Sequence, residues 1–149
     1  NYKNMKKVLL GILVLFILIQ MIRPTKNDSR NDINHISTVI AVPNEVQEIF
    51  KTSCNDCHSN NTVYPWYSEV APVSWYLAQH INEGKEHMNL SEWTVYNKNQ
   101  QGHILKDFEE VLETHEMPLK SYLIIHKDAE MTNEQYEVLM NWVKSINLN

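Results

Sequence analysis

The sequence predicts an all-α fold. Beyond residue 43 its apolar residues recur at helical spacing. Only three glycines occur in 149 residues, and no segment alternates apolar and polar side chains as a half-buried strand does. That length gives one domain plus an appendage, and no internal repeat is present.

The appendage comes first. "MKKVLLGILVLFILIQMIRP" is apolar from Val8 to Ile22 except for Gln20, with Lys6 and Lys7 ahead of it. Met5 is expected to be the start, with Asn1 to Asn4 upstream of it. As a helix the run spans ~22 Å, short for a hydrocarbon core of ~30 Å. No small-x-small cleavage site or lipidation cysteine follows. Residues 1–23 are therefore expected to be a retained single-pass membrane anchor or uncleaved signal, with a cleaved signal as the alternative. Its front lysines would snorkel, while Arg23 and Lys26 blunt the charge asymmetry. Residues 24–41 are polar and aperiodic and are expected to form a tether. Beyond Arg23, nine basic residues face 18 acidic ones, a balance of −9. This argues against nucleic acid and anionic lipid as the domain's partners. It suits a partner with a basic docking patch, or plain solubility.

Residues 42–149 are expected to form the domain. Pro43 and Asn44 open a helix with Val46, Ile49 and Phe50 on one stripe, and Cys54 extends that stripe. Asn60, Asn61, Pro65 and Pro72 mark loop and turn. From Ala71 a helix is expected with Val73, Tyr76, Leu77, His80 and Ile81 on one face, stopped at Gly84. Ser91 caps a short turn carrying Trp93. Ile104, Leu105, Phe108, Val111 and Leu112 form the next stripe, ended by Pro118. Thr132 and Gln135 have capping-box spacing. They open a last helix with Tyr136, Leu139, Met140, Val143 and Ile146 inward.

The chain's only cysteines lie in "CNDCH", residues 54–58. C-x-x-C serves a redox dithiol, half a zinc site, or the attachment of a c-type haem. Attachment accounts for the adjacent histidine. Cys54 and Cys57 would bond the two vinyl groups, and His58 would be the proximal iron ligand. Zinc lacks a second C-x-x-C or an H-x3-5-H. A dithiol enzyme expects a βαβ context that is missing.

A haem iron has a second axial position, filled in electron carriers and open in gas binders and peroxidases. Met117 is the leading candidate. It follows a helix end and precedes Pro118, so its thioether can turn inward without disturbing a helix. Met88 is the reserve, and His80, on an apolar stripe, is the best histidine rival. Met131 and Met140 are read as helix-start and core residues. A thioether favours Fe(II) and raises the potential relative to two histidines.

Tyr64, Trp66, Tyr67, Trp75 and Tyr76 crowd the stretch after the motif. They are either an ordinary aromatic core or a wall for a flat apolar disc, with polar tips for its propionates. The expected cofactor contacts beyond the thiols are Asn60, Tyr64, Pro65, Trp66, Tyr67, Asn89, Trp93 and Pro118.

"CNDCHSNNTVYPWYSEVAPVSWYLAQHINEGKEHMNLSEW" with "EMPLKSYLIIHKDAEMTNEQ" resembles the haem-binding domain family of Bacteroidetes-type bacteria. The likeness runs from about Val42 to the C-terminus, and the leading segment resembles that family's N-terminus. More distantly the layout resembles class I cytochromes c. The resemblance implies a cytochrome c-like helical domain around one covalent haem c, with Cys54, Cys57, His58 and Met117 in the family roles. The function then expected is a monohaem c-type cytochrome, an electron carrier rather than a catalyst. It would sit at the inner membrane with its haem domain in the periplasm. The alternatives are a haem peroxidase or gas sensor with an open distal site, and a haem-free helical module with a Cys54–Cys57 disulfide.

Overall fold

The structure is a computed structural model that describes residues 2–148. Every regular element among them is helical: α1 (Tyr2–Ile19), α2 (Asn44–Ser53), α3 (Asn55–His58), α4 (Val73–His87), α5 (Lys98–Glu113), α6 (Lys120–Leu123) and α7 (Asn133–Ser145). Short 3-10 turns lie between them, including Ile36–Thr38, Trp66–Glu69 and Leu90–Val95.

The core forms where α2, α5 and α7 meet. Val46, Ile49 and Phe50 of α2 are buried, with Leu105, Phe108 and Leu112 of α5 and Leu139, Trp142 and Val143 of α7. Phe50 is central. Its ring lies 6.3 Å from Phe108 and 5.3 Å from Trp142, edge-on to the latter. Trp142 Nε1 donates to Ala41 O at 3.0 Å, pinning α7 to the chain that enters α2. The expected box at Thr132 and Gln135 opens α7. A second box, Asn97 with Gln100, opens α5.

α4 departs from expectation at both ends. It starts at Val73, and only Ile81 of its predicted stripe is buried, while Val73 and Tyr76 are exposed. It also runs through Gly84 to His87. Gly84 is therefore not a stop. A Cβ there would meet Cys57 O at 2.8 Å, so this glycine lets α3 approach α4 closely.

No helix among the described residues is long and apolar enough to cross a membrane. Lys3, Lys6 and Lys7 occupy the first turns of α1, leaving an apolar run of only ~18 Å to Ile19. The membrane helix expected over 1–23 is thus not found in that form. None of the described residues of α1 is buried.

The stretch expected to be a tether is strapped to the domain instead. Asn27 O accepts from Thr62 N at 3.0 Å, and Asn34 O from Thr94 N at 3.1 Å. Asp32 accepts from Ser91 Oγ at 2.6 Å and from Asn61 Nδ2 at 2.9 Å. Ile36 is 1% exposed. The polar residues that suggested a solvated linker are the hydrogen-bonding partners of loops 59–62 and 89–94.

Candidate haem site

α2 ends at Ser53, Cys54 caps it, and α3 is one turn carrying "NDCH". Cys54 O accepts from Cys57 N at 3.2 Å and His58 N at 2.9 Å, which brings both sulfurs and the imidazole onto one turn. Asp56 fastens that turn. Its Oδ1 accepts from Val63 N at 2.9 Å and its Oδ2 from Tyr122 OH at 2.7 Å. Burial, then this carboxylate, raises the Tyr122 pKa, so the phenol stays the donor.

Beside the turn lies a cavity of about 500 Å³. Cys54, Cys57 and His58 line it, and so do Met117 and Pro118. Its inner wall is apolar, with Phe108, Leu112 and Leu139 buried. Polar lining comes from exposed or half-buried side chains, among them His80, Glu83, His87, Asp107 and Glu116. Charge is thereby kept on the open side, where water solvates it.

The thiols are unbonded. Burial first, then Cys57, pushes the Cys54 thiol up to about 12. Burial and then the Asp56 carboxylate push Cys57 up to about 11. Both are neutral at ordinary pH, unlike the low-pKa thiolates of dithiol enzymes. Among the described residues no three His, Cys, Asp or Glu cluster to hold a metal ion, which leaves the zinc reading without ligands.

His58 Nδ1 lies 3.0 Å from Met88 O. A carbonyl only accepts, so Nδ1 carries the proton and Nε2 keeps its lone pair. Burial lowers the His58 pKa, against the raising effect of the Met88 and Gly84 carbonyls, and keeps the ring neutral. A neutral imidazole with a backbone partner behind it is the form that ligates a metal.

Met117 is half-buried. The chain turns into it through His115, at φ 54°, whose ring stacks on Tyr136 at 3.9 Å. Tyr136 OH then donates to Met117 O at 2.8 Å, so α7 holds the Met117 backbone. Met88, Met131 and His80 line the cavity as well. Met88 is 8% exposed and lends its carbonyl to the His58 ring, which sets it on the His58 side. His80 Nδ1 pairs with Tyr76 O at 3.0 Å.

Seven expected contacts do not line this cavity. Asn60 and Asn89 are buried and bonded to each other at 3.0 Å, Asn89 Nδ2 to Asn60 Oδ1. Tyr64 OH accepts from Asn27 N at 2.7 Å, tying down the strap. Pro65 caps the turn in which Trp66 is 81% exposed. Tyr67 OH is bonded to His126 Nε2. Trp93 is 1% exposed and packs edge-on to Tyr96, and its Nε1 has no partner. In the aromatic loop, then, the Tyr64 and Tyr67 hydroxyls meet protein partners and Trp66 faces outward. Asp56, Gly84, Tyr122 and Met131 belong to the site and were not anticipated. A glycine inside a helix and an acid inside the motif were the available signals.

These residues fit a haem. The cavity is large and mostly apolar, two neutral thiols border it, and one imidazole is fixed in the ligating tautomer. A protein-family model described as a haem-binding domain matches residues 14–145. No curated protein and no solved structure gives a significant match.

Proposed function

The chain belongs to the haem-binding domain family, and from that premise we propose that it is a monohaem c-type cytochrome. It carries single electrons at the outer, periplasmic face of the bacterial inner membrane, held there through α1. The observation that carries this reading is the His58 Nδ1–Met88 O contact on the rim of a cavity that Cys54 and Cys57 also line.

Cys54 and Cys57 would hold one haem c covalently, as thioethers formed by addition of S–H across its vinyl C=C, and His58 and Met117 would be the residues to ligate its iron. Bound there, the haem supplies reversible one-electron Fe(III)/Fe(II) chemistry. The protein's part is positioning and exclusion. Asp56 fixes the turn through Val63 and Tyr122. Met88 O keeps the His58 proton on Nδ1. Phe108, Leu112 and Leu139 keep water off, which disfavours the more charged oxidised site. Met117 is preferred to Met88 because the Met88 backbone carbonyl stands behind the His58 ring. The acidic balance beyond Arg23 suits a redox partner with a basic docking patch.

A pyridine haemochrome assay on protein matured with haem-attachment machinery is the test. A single covalent c-type haem is expected, and a colourless product ends the reading. A second reading, an open iron that binds a gas or reduces peroxide, is favoured by His80, which lines the same cavity. Carbon monoxide separates the two. Slow, partial binding to the reduced protein supports a filled distal position, and fast, complete binding supports the open one.

A further inference from the structure

The junction between α1 and the domain is a built joint. Gln20 binds the Ala71 backbone in both directions, Nε2 donating to Ala71 O at 3.2 Å and Oε1 accepting from Ala71 N at 2.9 Å. Trp75 Nε1 donates to Ile22 O at 2.8 Å. Arg23 Nη1 pairs with Glu69 Oε2 at 3.1 Å, and Lys26 pairs with the other Glu69 oxygen. Asn27 then bonds Tyr64, Ser59 and Thr62, and accepts from Lys85. A flexible leash has none of these contacts.

From Val8 to Ile19, α1 is apolar on every side. Val8, Leu9, Leu10, Ile12, Leu13, Val14, Leu15, Phe16, Ile17 and Leu18 are all exposed, between 44% and 61%. A helix meeting a protein groove presents one stripe, whereas one apolar all round suits a hydrocarbon environment. Lysines stand at its start. At its exit two cations, Arg23 and Lys26, share the Glu69 carboxylate, with the Asp28 charge close to Lys26. The segment that receives the joint also displays Trp66 at 81%, Tyr76 at 52% and Val73 at 42% exposure. Trp and Tyr are the side chains that settle at a membrane–water interface.

We propose that α1 is a fixed seat. It inserts in a phospholipid bilayer, and the joint at residues 20–27 presses the 66–76 face against the headgroups, giving the haem cavity one orientation to the membrane. This rests on α1 as the membrane attachment, and it replaces free movement on a tether with a set pose.

The test uses the full-length holoprotein with vesicles of phosphatidylethanolamine and phosphatidylglycerol carrying brominated acyl chains. The protein floats with the vesicles, and Trp66→Phe removes roughly half of the bromine-quenchable tryptophan emission. Gln20→Ala with Glu69→Ala floats equally, yet its Trp66 quenching falls about twofold or more. In the same variant the Asn27 and Ala71 amides, slow in wild type, exchange as open chain. Should the double variant misfold, Glu69→Gln reads the same quantities in the same direction. A protein that does not float overturns the attachment and the seat together. A protein that floats with Trp66 unquenched, or with joint amides already fast, overturns the seat alone.

Discussion

Two stretches of similar length make an instructive contrast. Residues 59–67, rich in asparagine and aromatics, advertise binding, yet none of them lines the cavity, and their partners include Asn27, Ser91, Asn89 and His126. Residues 116–122, "EMPLKSY", are plain by comparison and supply Met117, Pro118, Leu119 and Tyr122 to the cavity. Residue type says what a side chain is able to grip. The path of the chain decides whether it faces the gap. The first stretch leaves α3 and turns to meet the strap. The second leaves α5, whose inner stripe already forms the wall, so it arrives at the open side of that wall.

The contrast breaks most decisively at the motif. Cys57→Ala is expected to abolish stable covalent haem, read as loss of the haemochrome signal from denatured protein. Gly84→Ala comes next. Its methyl meets Cys57 O at 2.8 Å, so α3 and α4 must part. A loss of about 1–3 kcal/mol is expected in denaturant unfolding, with reduced haem incorporation. Met117→Ala keeps haem but lowers the potential in a redox titration and opens the iron to added carbon monoxide. An unchanged spectrum and potential would shift the ligand to His80. Tyr122→Phe leaves the Asp56 carboxylate one donor short, at about 1.5–3 kcal/mol of stability. Trp66→Ala is the smallest, within about 0.5 kcal/mol and with haem content unchanged in lipid-free protein. If Trp66→Ala were to strip the haem while Tyr122→Phe did nothing, the contrast would be reversed.

Much of the fold was legible. The stripes of α2, α5 and α7 follow from spacing, because those helices each bury one face against the others. Cys54, Cys57, His58, Met117 and Pro118, singled out by their chemistry, all line one cavity. Three features were not legible. Gly84 looked like a stop because glycine ends many helices, and only the neighbouring Cys57 carbonyl explains it inside one. The strap looked disordered because asparagine, aspartate and serine suit solvent. Here, however, Asp32, Asn34 and Asn27 accept from Ser91, Thr94 and Lys85, donors far along the chain. The aromatic loop looked like cofactor wall because aromatics suit porphyrin, and its protein partners are not local in sequence.

The last turn of α4 touches the motif at both ends. Met88 N donates to Gly84 O at 2.9 Å, Met88 O meets the His58 ring, and Gly84 abuts Cys57. A strain applied anywhere along that helix therefore arrives at the imidazole's rear face and at the sulfur anchor in the same instant. How basic the ring is, and hence how strong a donor its Nε2 can be, depends on the helix terminus. A protein leaning on α4 would alter the haem pocket from behind, without entering it.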